Sequence, residues 1–378
     1  MKKTVAVFFG GRSTEHDISI ITALASVIKP LQMAGSYDIV PIYITKEGRW
    51  VGGTELKDVR LFSSGAIDAF VKKSKPLQVS FDGGLTINKK RIDVAFPAMH
   101  GSYGEDGSLM GLLRMAGVPF VGADMDASVI AMDKVLAKQV AQAYSIPTSK
   151  FVSTSRDLVN DSLKKEVTRI AGALKFPLFV KPAHLGSSIG ITRVISNDEL
   201  LNALEVAAHY DTKIIVEEAV KNLIEVTVPM MGNKVVQPAL VERPLATAGN
   251  FFDFDNKYIR GGGKKTGGKH TGSQGYSELP AKISAGLGAA SLEVATAIYK
   301  AFGLQGTARI DLLIDSKTKK VFFNEVNPLP GSLYAHNWRA AGISTVSLVT
   351  DLIHLAEQRH AEQKASTTSF SSSFLRQF

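Results

Sequence analysis

Cysteine is missing from all 378 residues. Its absence excludes disulfides, thiolate metal sites, iron–sulfur clusters and cysteine nucleophiles, and it agrees with a reducing cytoplasm. Long apolar runs are scarce as well. The longest uncharged apolar-rich run, Ile18–Ile28, has eleven residues, against the roughly 20 that a membrane span needs. Met1-Lys2-Lys3 leads into a brief apolar stretch that ends at Gly10-Gly11, which reads as a first strand rather than a secretion signal. No internal repeat is present. His209, His354 and His360 lack metal-ligand spacing and read as ordinary helix or surface residues.

Apolar residues make up 45% of the chain and charged residues 21%, enough to build a core and to exclude wholesale disorder. The formal net charge is +9. A basic balance suits nucleic acid, a membrane surface or small anions. Nucleic-acid binders interleave their cations with aromatic platforms. Here the densest cluster, Lys257, Arg260, Lys264, Lys265 and Lys269, lies in a glycine-rich loop instead. A small phosphorylated ligand is favoured over nucleic acid.

Thr4–Phe9 is a β-rich apolar run closed by two glycines, and apolar residues then recur at helical spacing to about Pro30. Strand, glycine turn and helix open an α/β unit. Further strands are expected at Ile39–Ile44 and Arg91–Pro97, with a hairpin around Asp82-Gly83-Gly84. Asp133 is placed to cap a helix through about Tyr144, and Ser196 with Glu199 forms a capping box for another. Strands Pro177–Lys181 and Ile191–Val194 flank a Gly-Ser loop, and long helices are expected near 281–302 and 343–360. The expected fold class is α/β followed by α+β. Its units are residues 1–130, 131–216 and 217–362, with a disordered Ser/Thr-rich tail at 363–378.

The strongest chemical signal is the pair Ala308-Arg309-Ile310-Asp311 and Phe323-Asn324-Glu325-Val326-Asn327, separated by a polar turn at 315–320. Folded as an antiparallel hairpin, Asp311 lies opposite Glu325 and Arg309 opposite Asn327, with all four side chains on one face. Ile310, Leu312, Phe322 and Val326 would face the core. Two carboxylates and an amide oxygen are a hard donor set suited to Mg²⁺, and the guanidinium beside them suits a transferring phosphoryl group. The Gly186-Ser187-Ser188-Ile189-Gly190 loop behind Lys181 lets backbone N–H groups approach phosphate. Gly263–Lys269 looks like a P-loop, but His270 stands where Ser or Thr should follow. It is read instead as a basic lid over an anionic ligand. Polar segments 10–16 and 100–107 follow strands, where α/β units usually bind ligands.

These segments together resemble the D-alanine–D-alanine ligases of the ATP-grasp superfamily. The similarity runs from about residue 4 to about 360. It is carried by FGGRSTEHDIS (9–19), HGSYGEDGSLMG (100–111), AMDK (131–134) and FVKPAHLGSSIGITRV (179–194), then VEEAV (216–220), DNKY (255–258), ARIDLL (308–313) and NEVNPLPG (324–331). The resemblance implies a three-domain ATP-grasp architecture with an N-terminal parallel-sheet domain. It also implies ATP-dependent joining of two D-alanines through an acyl phosphate, for peptidoglycan precursors. Lys134, Lys181 and Ser188 would hold phosphates, with Lys257 reaching the γ-phosphate. Glu217, Glu218 and Glu225 would line the adenine and ribose pocket, with the division between Glu217 and Glu218 open. Asp311, Glu325 and Asn327 would hold two Mg²⁺ ions, for which Mn²⁺ could substitute. Arg309 would stabilise the oxyanion. Glu15 would take the first substrate's ammonium, tied to Ser187 and Tyr258, and His100 would lie near that substrate's carboxyl. Partners are ATP and amino acids, with a homodimer expected.

After Pro330-Gly331 the sequence departs from the family, and His336 falls where a serine usually receives the second substrate's carboxylate. A protonated imidazole there would attract a carboxylate and repel an incoming ammonium. D-Lactate, D-serine or another amine is therefore an alternative acceptor. A third reading, a non-catalytic polyanion binder on the same scaffold, is opposed by the intact Mg²⁺ set.

Overall fold

The computed structural model describes residues 2–245, 277–367, 373 and 376. Strand β1 (Lys3–Gly10) sits between β2 (Tyr37–Ile44) and a strand at Val94–Pro97, parallel to both. β3 (Trp50–Gly52) adds antiparallel to β2. The expected hairpin is present and gains a strand: β4 (Val79–Ser80), β5 (Thr86–Ile87) and β6 (Lys90–Arg91) form a small antiparallel sheet. Arg91 therefore does not belong to the following strand, β7, which begins at Val94.

The helix after β1 runs from His16 to Ala34, past the expected end at Pro30. Its middle, Thr22–Ile28, winds as a π-helix just ahead of Pro30. A proline ring inside a helix collides with the preceding turn and removes one N–H, and a wider turn accommodates both. The helix has the length and apolarity of a membrane span. Leu24, Val27, Ile28 and Leu31 are nevertheless buried in the core.

The central sheet is antiparallel throughout, in the order β10 (Thr192–Val194), β9 (Leu178–Pro182), β11 (Lys213–Glu218), β8 (Phe151–Ser155). Helices Arg156–Ala173 and Asn197–Tyr210 share its core. The second starts as expected: Ser196 accepts from the Glu199 N–H, and Glu199 reaches back to the Ile195 N–H at 2.9 Å. The boundary expected at 216 cuts β11, so this sheet extends to Glu218.

The third sheet, also antiparallel, pairs β12 (Leu223–Gly232) with β13 (Val236–Pro238) on one side and β16 (Gly306–Asp315) on the other. β17 (Lys320–Asn327) closes the far edge. Between β13 and β16, the short strands β14 (Arg243–Pro244) and β15 (Ser277–Glu278) pair across the ends of an undescribed segment.

Packing crosses the expected unit boundaries twice. Ala127, Ala131, Ala137 and Ala141, on helices Met125–Met132 and Lys134–Ala143, belong to the core of the third sheet. Ala131, Ala137 and Ala141 therefore pack outside the central core to which they were assigned, while Val135 stays against Ala183 and Ile215 of the central sheet. The last helix, Thr345–Lys364, buries Leu348, Val349, Leu352 and Ile353 against the first sheet's core. It reaches two residues into the expected tail. Arg359 on this helix donates to the carbonyls of Gly122 and Phe120, the latter at 2.7 Å, and stacks on the Phe120 ring.

Arg359→Met keeps the apolar stem but leaves two buried carbonyls without a donor, at about 1–3 kcal/mol for each. Urea unfolding should show a lower midpoint. An unchanged midpoint would mean that the staple contributes nothing.

Candidate active site

β16 and β17 meet in the anticipated register, with Asp311 opposite Glu325 and Arg309 opposite Asn327. Below this point the pairing shifts by one, because Leu312 faces Phe323. Asn324 is the extra residue of a β-bulge. The bulge also corrects one core assignment: Phe323 is fully buried against the third core, and Phe322 is only partly covered. On the polar face Arg309 grips Asp311 with two hydrogen bonds, at 2.8 and 2.7 Å. Thr227 and Asn327 donate to the same carboxylate at 2.6 and 3.1 Å. Glu225 lies two residues before Thr227 on β12, so the strand period gives both the same face.

Asp133 caps the helix that carries Lys134 and Lys138, accepting from the N–H groups of Val135 and Leu136. Lys134 spans two units. Its Nζ donates to the Leu185 carbonyl at 2.7 Å and lies 3.5 Å from Glu325. Lys138, one helical turn on, is fully buried and bonds Ser149 at 3.0 Å. Glu217 lies between Lys138 and Lys181, at 3.1 and 3.2 Å. Burial alone would raise its carboxyl, but the two ammonium groups outweigh that and hold it down at about 2. Burial pushes Lys138 below the usual lysine range.

Successive residues of β11 point to opposite faces. Glu218 accordingly turns away from Glu217 and accepts from the Lys175 N–H at 3.0 Å. The expectation that both glutamates line one nucleotide pocket is corrected by this alternation. Glu217 faces the lysines, and Glu218 ties down the turn before β9.

Glu15 and the Gly-Ser loop meet as anticipated, with the Ser187 hydroxyl donating to Glu15 at 2.5 Å. The loop is bent through left-handed residues at Ser187 and Ser188. Two glycines let Glu15 approach. A Cβ on Gly186 would lie 2.9 Å from Glu15 Oε2, and one on Gly101, at φ +70°, would lie 2.8 Å from the same oxygen. Behind Glu15, Glu105 is buried and accepts from the Gly101 and Leu329 N–H groups. Burial, with Glu15 nearby, raises its carboxyl well above the usual carboxylate range. His100 is buried beside it, bonded to Thr22 at 2.8 Å, and burial with Arg309 nearby lowers it to about 4. Its imidazole is neutral near neutral pH.

Gly331 opens a turn in which Ser332, Leu333 and Tyr334 are all left-handed, at φ 51°, 53° and 51°. Each such residue costs about 1–2 kcal/mol, so the surroundings must hold the turn. The Ser332 N–H bonds Thr22, and Leu333 is fully buried. The turn brings the Tyr334 ring over the Arg309 guanidinium, 5.2 Å from its carbon, and 4.6 Å from the His336 ring. His336 does not stand alone: its Nε2 lies 2.9 Å from Glu242. Burial acts to raise the Glu242 carboxyl, but its bond to His336 prevails and lowers it. The ammonium repulsion expected of His336 is therefore offset by a carboxylate.

Lys257 and Tyr258, with the basic loop around them, lie outside the described residues. Sequence reasoning missed Lys138, Thr22, Thr227 and Glu242. Only Lys138 left a signal, as a second lysine four positions after Lys134 on the same helix face.

The family model for the D-ala D-ala ligase N-terminus matches residues 4–123, and that for the D-ala D-ala ligase C-terminus matches residues 140–354. This chain belongs to the D-alanine–D-alanine ligase family. Curated ligases of that name from Clostridium acetobutylicum and Chlorobium phaeovibrioides are 35% and 36% identical, covering 95% and 96% of this chain and 99% of each relative. The solved D-alanine-D-alanine ligase of Coxiella burnetii superposes with a TM-score of 0.79 at 28% identity, covering 96% of both chains. The VanG D-Ala:D-Ser ligase of Enterococcus faecalis superposes at 0.77 with 32% identity, covering 94% of this chain and all of that one. The protein is an ATP-dependent ligase with the ATP-grasp fold.

In this ligase, Gly186→Ala should displace Glu15, which a Cβ would meet directly, more than Lys134, which the preceding Leu185 carbonyl holds. The KM for the first amino acid should rise by roughly tenfold or more, with a smaller change for ATP. Phosphate-release kinetics with each substrate varied in turn would detect it. Equal changes in both constants would contradict this role of the glycine.

Proposed function

We propose that the protein condenses two D-alanines, with ATP activating the first carboxylate, to supply the dipeptide of peptidoglycan precursors. The observation that carries this is the contact of Lys134 with both the Gly-Ser loop and Glu325. It joins the start of the loop proposed to bind phosphate to a carboxylate face across two units. The names of the curated relatives support D-alanine at both positions, and D-serine is named as acceptor in the VanG neighbour.

The first D-alanine's ammonium would pair with Glu15, and neutral His100 would lie near its carboxyl. One carboxylate oxygen attacks the γ-phosphorus and ADP leaves, giving an acyl phosphate. A carboxylate resists direct attack by an amine, which is why this activation is needed. The second D-alanine's amine, having lost a proton, attacks the acyl carbon and forms a tetrahedral oxyanion, which collapses with expulsion of phosphate. Lys134 and Lys181 would neutralise the phosphates, and Arg309, oriented by Asp311 and Tyr334, would face the oxyanion. The Ser188 backbone would add to the phosphate cradle, and Glu225 would reach the ribose. Glu217, with its charge held by two lysines, would accept from the adenine amino group.

Asp311, Glu325 and Asn327 fit Mg²⁺ by donor chemistry. They carry oxygen donors on one face of the β16–β17 pair, and cationic side chains already lie against both carboxylates. When bound, Mg²⁺ would supply positive charge to the phosphate oxygens. Water would hydrolyse the acyl phosphate, so a cover is needed, and the basic loop containing Lys257 and Tyr258 is proposed for it. With Glu242 beside it, the His336 site, together with Gly331, can accept an amino acid carrying both charges.

Phosphate release from ATP, measured against a panel of D- and L-amino acids and hydroxy acids, tests the reading. D-Alanine alone should support turnover and yield D-alanyl-D-alanine as the main product. A larger yield with D-lactate or D-serine as acceptor would overturn the assignment of the second substrate. Glu325→Gln should remove most activity while the hairpin keeps its shape, and near-normal turnover at saturating Mg²⁺ would sink the metal assignment. Lys257→Ala should lower kcat more than it weakens ATP binding; an unchanged kcat would reject its role at the γ-phosphate.

A further inference from the structure

We propose that His184 is a positioning residue for the nucleotide site, a cation that clamps the base of the Gly-Ser loop to the helix bearing Lys134 by bridging Asp133 and Asp211. The inference rests on the proposed phosphate role of Lys134 and extends it to a residue that contacts none of the reacting groups.

The geometry joins three separate pieces of chain. The His184 N–H donates to Asp211 at 2.8 Å, and its Nδ1 lies 3.0 Å from the same oxygen. Its Nε2 faces Asp133 at 3.4 Å. Asp211 follows the helix Asn197–Tyr210, and Asp133 is the cap of the helix Lys134–Ala143. Lys213 on β11 also bonds Asp133. Two cations thus face two carboxylates.

The residues on either side of His184 both serve Lys134. Ala183 accepts the Lys134 backbone N–H at 3.0 Å, and Leu185 accepts its Nζ at 2.7 Å. Three residues further on, Ser187 bonds Glu15. A displacement at His184 would therefore be passed to the phosphate lysine and to the substrate loop. The imidazole side chain is 42% exposed, so filling the core is not its purpose. A neutral amide here could donate from its NH₂ but would carry no charge. It could not offset both carboxylates.

Hydrogen bonds to Asp133 and Asp211 raise the imidazole from 6.5 to about 9, while Asp133 is held below the usual carboxylate range. The sign follows from the raised value. The clamp's contribution is complete below the ordinary histidine range and is lost as pH rises through about 9.

The test uses calorimetric binding of MgADP, which needs neither amino acid and so stands apart from the ligation reading. Wild-type affinity should fall as pH passes through about 9. His184→Asn should weaken binding roughly tenfold near neutral pH, and its remaining affinity should not change across that range. His184→Arg should bind as the wild type does at neutral pH and keep that affinity above it. Thermal unfolding of both variants shows whether each is folded. Wild-type affinity in His184→Asn would overturn the proposal. So would equal weakening in folded Asn and Arg variants, since the charge would then have no part in it.

Discussion

A single extra residue, Asn324, governs how the third sheet presents its chemistry. The hairpin turn sets Asp315 opposite Lys320 and Leu312 opposite Phe323. Carried on without interruption, that register would oppose Asp311 to Asn324 and Arg309 to Val326. An apolar side chain would then face the guanidinium, and Glu325 would turn toward the core. The bulge at Asn324 restores the alternation, leaving Phe323 and Val326 buried on one face and Glu325 and Asn327 on the other. The arrangement around Asp311 follows from this, and so does the approach of Lys134 to Glu325.

The ion pairs behind that face are buried, and such pairs are poor sources of stability because desolvation opposes their attraction. Lys138, Glu217 and Lys181 are better understood as fixing position. Ser149 and the Phe323 carbonyl also receive Lys138, so the helix, β11 and β17 are tied at one point. Removing Lys138 would leave Glu217 facing Lys181 alone. Its placement, more than its charge, is what Lys138 secures.

A second seam runs between the first sheet and the C-terminal segment. Thr22, the first residue of the π-helical stretch, accepts from the Ser332 N–H and bonds His100. Glu105 accepts from Leu329 on one side and Gly101 on the other. Distorted backbone at both partners, a π-helix and a left-handed turn, is thus concentrated where Arg309, Tyr334 and His336 are set. Strain of this kind persists only where surrounding contacts over-determine it. Here those contacts are the buried Leu333 and Trp338 and the pair formed by His336 and Glu242.

Local pattern was enough to reveal the strand alternation of 308–311 and 323–327, the caps at Asp133 and Ser196, and the meeting of Glu15 with Ser187 implied by the family motifs. Each depends on spacing of a few residues or on motifs that keep their order. Other features depend on partners far away in the chain, which spacing does not encode. The assignment of helices 125–143 to the third core was decided by the buried alanines that face that sheet. The opposite orientations of Glu217 and Glu218 were decided by how β11 lies between β8 and β9. His336 acquired its meaning from Glu242, ninety-four residues earlier, and His184 from carboxylates on two other elements. Sequence determined which groups this protein possesses. The packing of three sheets decided which of them share charge, because electrostatic partnership depends on distance through space and on the water excluded between them.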